Sequence, residues 1–236
     1  MKLQKETNSP KSSILPATSG RHGKWYDDAC GTAFALELVG ERWSLLIVRE
    51  LMFGGRRFSD LRGGLPGISA KVLTERLDGL EEAGILQRRQ LPPPVSAQVY
   101  ELTQWGYRAE TAIKELGRWA AMSPRHDPTL PLSPASLMLS FRTMFDGQRA
   151  GDLRTSGAIR IGNERFLVEV AEGGLRAERG ELAAPDFTLT APVAMPIAGL
   201  VYGKAPLEAL PGLEVTGKPK KLARYLDCFH LPAKTG

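Results

Sequence analysis

The chain has 236 residues, 42% of them hydrophobic and 24% charged, which is enough apolar material for two ordinary domains with separate cores. Its formal net charge of +5 is spread thinly, with +2 in residues 1–20, +2 in residues 21–125 and +1 in residues 126–236, so charge alone does not mark a nucleic-acid-binding surface. No apolar run approaches the roughly 20 residues that span a bilayer, no leader follows the first lysines, and Cys30, Cys228, His22, His126 and His230 fall into no metal-ligand spacing. The expectation is a cytoplasmic protein without metal, cofactor or membrane insertion.

Residues 1–22 mix Ser, Pro, Lys and Asn without a period and read as a disordered tail, with a basic arm touching phosphates as the alternative. Order is expected from near Trp25. Cys30, Ala33, Phe34, Leu36, Leu38 and Val39 supply the apolar side of a first helix that ends at Gly40. Trp43, Leu45, Leu46, Val48, Leu51 and Met52 supply a second, ending before Gly54-Gly55. Phe58 to Arg62 reads as a short helix and Gly63–Gly67 as a turn. Ser69 then opens a helix in which Leu73, Leu77 and Leu80 recur at helical spacing. Gly84 stops that run. Ile85–Gln90 and Gln98–Leu102 look like two strands around a loop with prolines at its tip, which suits an exposed wing and not a central strand. Thr103 caps a long helix from Gln104 to Met122, with Trp105, Ala109, Ala112, Ile113, Leu116 and Trp119 as apolar positions. Residues 23–122 thus read as one winged helix-turn-helix domain.

Pro124, Pro128, Pro131 and Pro134 punctuate residues 123–134, a linker stiffer than a Gly/Ser one. A second domain is expected over 135–232, with a tail at 233–236. Its predicted elements are a helix at Ala135–Phe145, strands at Gly157–Ile161, Arg165–Val170, Leu175–Arg179 and Phe187–Thr190, helices at Pro192–Tyr202 and Pro206–Leu210, a strand at Leu213–Thr216 and a helix at Lys220–Phe229. Strands grouped with helices before and after them indicate an α+β fold.

A helix fits the major groove and presents side chains to base edges, while its flanks and a wing contact phosphates. With Leu73, Leu77 and Leu80 turned inward, Ser69, Lys71, Thr74 and Glu75 fall outside the apolar stripe, and Arg76 sits beside it within reach of phosphate. Arg56, Arg57 and Ser59 begin the supporting helix, and Arg88, Arg89 and Gln90 lie on the outgoing wing strand. Each alone is as readily a solvated surface residue; their shared face is what points to duplex DNA.

The ordered series Cys30, Leu36 to Trp43, Arg49-Glu50-Leu51, Phe53 to Leu61, Leu65 to Ser69, Val72 to Leu77, Gly84, Tyr100 to Thr103 and Gly106 resembles the HxlR family of bacterial winged helix-turn-helix transcription regulators. The resemblance implies a non-enzymatic homodimer joined through the first and last helices of this region and bound to an inverted repeat, nucleoid-associated when on DNA. It carries the recognition-helix role to Ser69, Lys71, Thr74 and Arg76 and the wing role to Arg88 and Arg89. Family wings usually have an arginine after the prolines, where this chain has Val95-Ser96-Ala97-Gln98, so the tip is expected to contribute little. Cys30 matches a cysteine that senses oxidants or electrophiles in some members, which sets a redox switch against an inert thiol on an apolar helix face. Cys228 reads equally as core.

No nucleophile with a base, no Gly-rich phosphate loop and no paired carboxylates mark residues 135–232 as catalytic. Gly174-Leu175, Arg179-Gly180, Ala184 to Thr190, Leu213 to Gly217, Leu222, Tyr225-Leu226, Phe229 and Leu231-Pro232 together resemble the sterol carrier protein 2 family. That likeness implies an apolar tunnel for a small hydrophobic or fatty-acyl effector, with Phe187, Met195, Ile197, Leu200, Tyr202, Leu226 and Phe229 as lining candidates. The first expectation is a DNA-binding regulator responsive to such a molecule. The others are a regulator switching through Cys30, or a lipid carrier whose winged region makes protein contacts.

Overall fold

A computed structural model describes residues 26–93 and 96–235; the expected N-terminal tail, Lys24, Trp25, Pro94, Val95 and Gly236 lie outside the described residues. Helix α1 (Gly31–Val39) buries none of its residues, and Phe34 and Leu36 stand about half exposed. Helix α2 (Ser44–Leu51) is its opposite: Ile47, Val48 and Leu51 are fully buried. They pack under α3 (Phe58–Gly64) and α4 (Ala70–Glu82), whose Leu61, Leu73, Leu77 and Leu80 close the core as the 3.6-residue spacing predicts. Gly67, at φ +92°, makes the turn between α3 and α4. Gly84, at φ +69°, ends α4: its N–H donates to Glu81 O and that of Ile85 to Leu80 O, both at 2.9 Å.

Strands β1 (Leu86–Gln90) and β2 (Gln98–Leu102) pair antiparallel with Arg88 opposite Tyr100, and Arg56 adds a short bridge on the outer side of Tyr100. The expected long helix is two pieces, α5 (Gln104–Arg108) and α6 (Glu110–Ala121). At the junction Ala109 donates back three residues to Gly106 O at 3.1 Å, a tighter turn that periodicity does not register.

Residues 123–133 form no helix or strand. Ser133 then caps α7 (Pro134–Met144), accepting from Ser136 N–H at 3.0 Å, with Pro134 in the first turn. After the short α8 (Gly147–Ala150) come β3 (Thr155–Ile161), β4 (Glu164–Ala171), β5 (Gly174–Arg179) and β6 (Phe187–Ala191). Helix α9 (Ala194–Val201), a 3-10 turn at Leu207–Ala209, β7 (Glu214–Gly217) and α10 (Pro219–Leu226) complete the chain. The sheet order is β5-β4-β3-β6-β7, with β3 and β6 parallel and the other neighbours antiparallel. An N-terminal helical region with a wing is therefore joined to a mixed α+β C-terminal region.

The two regions meet directly as well as through residues 123–133. Helix α7 packs on α2 and α6. Glu50 of α2, only 1% exposed, accepts from Arg49 at 2.8 Å and from Ser133 Oγ at 2.6 Å. The Phe53 ring meets Phe166 edge-on at 5.7 Å and the Arg142 guanidinium at 4.4 Å, while Arg179 donates to Phe53 O at 3.2 Å. Glu164 pairs with both Arg56 and Arg179. At the C-terminus, where a tail was expected, Lys234 reaches the Ala121 and Ser123 carbonyls at 3.0 Å and Thr235 donates to Met122 O at 2.9 Å, satisfying the open end of α6.

Candidate nucleic-acid interface

Helix α4 is started by Ser69, whose Oγ accepts from Val72 N–H at 3.2 Å and keeps its own hydroxyl proton free to donate outward. Two residues on, Lys71 carries a side chain that is 87% exposed and lies 4.0 Å from Glu75. Thr74 is exposed and donates to Ala70 O at 3.1 Å, which turns its methyl and lone pairs outward. Lys71, Thr74 and Glu75 thus occupy one outward stripe at the N-terminal half of α4, turned away from the leucines, with Ser69 exposed at the helix start. Arg57 and Ser59 stand exposed at the start of α3, where Asp60 accepts from the Arg57 N–H at 3.3 Å.

The other arginines are engaged elsewhere in this chain. Arg76 turns back to the loop before α2, donating to Glu41 at 2.8 Å and to Arg42 O at 3.2 Å. Arg88 pairs with Asp78 and with Glu81 at 3.3 Å, fastening the wing to α4, and stacks on Tyr100 at 5.6 Å. Arg89 pairs across the wing with Glu101 at 2.7 Å. Arg56, grouped with the phosphate-contact candidates by its position before α3, is instead held against Glu164 of the C-terminal region. Sequence reasoning passed over Arg62, exposed on the last turn of α3 before the Gly67 turn; a basic residue one helical turn past Ser59 was the signal for it.

Cys30 is exposed at the N-cap of α1 and not buried on its apolar face, because only the far end of that face, at Leu38 and Val39, packs on the core. The free N–H groups of Ala33 and Thr32 lower its thiol pKa by favouring the thiolate; this role falls to the helix end and not to Arg42. Cys228 is buried, donates to Arg224 O at 3.2 Å, and burial pushes its thiol up. Trp105, Leu116 and Trp119, among the apolar positions of the expected long helix, are about 50%, 49% and 72% exposed.

In the C-terminal region Phe187, Ile197, Leu200 and Phe229 are buried and Met195, Tyr202 and Leu226 partly so. Phe187 and Phe229 pack at 4.9 and 4.8 Å on the ring of Tyr225, and Phe141 lies 5.1 Å from Phe229. Tyr202 Oη meets Ser140 Oγ at 2.6 Å, whereas Tyr225 Oη is buried with no hydrogen-bond partner among the described residues. Among the described residues no group of three His, Cys, Asp or Glu is placed to hold a metal ion, and no helix is long and apolar enough to cross a membrane.

A capped recognition helix, a supporting helix joined to it by a glycine turn, and a two-stranded wing fastened behind them define the winged helix-turn-helix class of transcriptional regulators. Residues 38–127 match the model of the HxlR-like helix-turn-helix family. The regulator YodB of Bacillus subtilis is 38% identical over 86 residues, 36% of this chain and 77% of YodB; YtfH of Escherichia coli, an uncharacterised HTH-type regulator, is 32% identical over 103 residues, 44% of this chain and 82% of YtfH. The solved structure of reduced YodB from B. subtilis is 35% identical, with a TM-score of 0.38, covering 42% of this chain and 98% of that one. The chain belongs to the HxlR family, whose members are DNA-binding regulators and not enzymes.

Proposed function

We propose that the chain binds duplex DNA as a homodimer at an inverted-repeat operator, reading bases with the exposed stripe of α4 and phosphates with its flanks. The observation that carries this reading is that stripe: Ser69, Lys71, Thr74 and Glu75 face outward together beside the wing, with Arg57 at the start of α3. Arg76, Arg88 and Arg89 take part once phosphate replaces their present carboxylate partners, since each holds a surface ion pair of small net worth. Homodimerisation is supported by large apolar side chains left exposed on α1, α5 and α6: Phe34, Leu36, Trp105, Leu116 and Trp119. Residues 135–232 are proposed to form a sterol-carrier-like effector domain whose interior, around Phe187 and Phe229, accepts an apolar molecule; the unpartnered Tyr225 hydroxyl supplies a polar handle for it. Binding of a fluorescent promoter duplex across a salt series tests the DNA reading, and displacement of a fluorescent fatty acid tests the effector reading.

A second reading is favoured by the exposed, activated Cys30: oxidation or alkylation there changes DNA affinity through α1. Under it, Cys30→Ser binds DNA normally and loses any response to oxidant.

A further inference from the structure

We propose that Glu164, outside the winged region, is a positioning residue for DNA binding: its carboxylate holds Arg56 and so sets where Arg57 and the wing meet the duplex. The proposal rests on the regulator reading above. Contacts from the C-terminal region converge on residues 53–56, the connection between α2 and α3. Arg179 donates to Phe53 O at 3.2 Å and the Phe53 ring meets Phe166. Arg56 donates to Glu164 at 2.5 Å, and Arg179 shares that carboxylate. Between these anchors lie Gly54 and Gly55, with Gly54 at φ +106°, a pair that has no side chains to fix its own path.

Arg56 is the lever. Its N–H donates to Tyr100 O at 2.9 Å and its carbonyl accepts from Tyr100 N–H at 2.8 Å, which ties the wing to the start of α3. Its neighbour Arg57 is extended, at φ −71° and ψ 159°, and successive side chains of an extended chain point opposite ways. The Arg56 guanidinium accordingly runs inward to Glu164, with 14% of its side chain exposed, while Arg57 stands exposed, as Ser59 does. Apolar residues of similar volume commonly hold such a seam as well as ions do. Here two guanidiniums share one carboxylate, and Arg56 Nε is buried without a partner among the described residues, both of which cost stability. What the carboxylate adds is direction.

The test uses the full chain with Glu164→Gln, Arg57→Gln, the double variant and Leu189→Ala, a core truncation in β6 that lowers stability away from this connection. Affinity for the promoter duplex is measured by anisotropy over a salt series, where circular dichroism shows every variant folded. Amide hydrogen exchange of Arg56 and Tyr100 is followed without DNA. Removing a carboxylate ordinarily strengthens binding to a polyanion. Glu164→Gln is instead expected to weaken it about tenfold and to reduce the salt slope by about 1, with no further loss in the double variant beyond Arg57→Gln. The Arg56 and Tyr100 amides exchange faster in Glu164→Gln, and Leu189→Ala binds DNA as the unsubstituted chain does. Unchanged or tighter binding by Glu164→Gln, additive losses in the double variant, an equal loss in Leu189→Ala, or unchanged exchange would overturn the proposal and leave the regulator reading standing. Absence of salt-dependent binding by the unsubstituted chain would overturn both.

Discussion

Gly106 shows how a single residue fixes the junction of the wing and the helix after it. A Cβ there would run into the Ile85 carbonyl oxygen, a backbone atom held by the N–H of Thr103 at 3.0 Å and unable to step aside. Gly106→Ala is predicted to cost about 2 kcal/mol, the price of overpacking at a site that cannot relax; urea unfolding followed by circular dichroism reads this directly. The two cysteines give a contrast in reactivity. Cys30 is exposed with its pKa lowered by the α1 amides, so its thiolate fraction at neutral pH exceeds that of an ordinary cysteine and falls only as pH drops through the lowered value. Cys228 is buried with its pKa raised, so it stays protonated and covered. Iodoacetamide is therefore expected to label Cys30 first, keeping an appreciable rate at pH 7 where a model thiol has slowed, and to reach Cys228 only on unfolding. Peptide mapping by mass spectrometry separates the two.

At the scale of elements, the contact between regions depends on charge as much as on apolar packing. Glu164 lies between the guanidinium groups of Arg56 and Arg179, each of them largely covered. Glu164→Gln leaves two like charges facing each other without the carboxylate that pairs with both, which is predicted to destabilise the chain by about 3 kcal/mol, more than removal of an exposed carboxylate such as Glu172. Denaturant unfolding of both variants checks the difference. None of this network was legible in the sequence, because Arg56 and Glu164 are far apart in the chain and carry no periodic signal. The elements themselves were legible where a local rule governed them. Leu73, Leu77 and Leu80 with Ser69 and Gly84 marked α4, and the proline-tipped pair of strands marked the wing. Helix α8 has four residues, too few to show a period, and the break at Ala109 comes from backbone geometry and not from residue type. In the candidate site, helical spacing separated the outward Lys71 and Thr74 from the core leucines. It did not foresee that Arg76 and Arg88 would find carboxylates on neighbouring elements.

For the whole molecule, helical spacing grouped Leu116 and Trp119 among the apolar positions of one helix, and the single chain leaves both exposed. In the proposed homodimer a second copy covers them. Trp119→Glu combined with Leu116→Glu is then expected to leave the helical content of the chain unchanged and to lower its sedimentation coefficient to that of a monomer, with loss of operator binding. The regulator account as a whole stands on contact with DNA phosphates and base edges. Its most direct test is fluorescence anisotropy of the full chain on a duplex from its own promoter region, over a series of salt concentrations, against an unrelated duplex and with Lys71→Gln alongside. The account predicts tighter binding to the promoter, an affinity that falls steeply as salt rises, and a salt slope smaller by about 1 for Lys71→Gln if that ammonium meets a phosphate, or relaxed selectivity if it meets a base. Equal affinity for both duplexes together with insensitivity to salt would contradict it, and would favour a carrier whose winged region contacts protein.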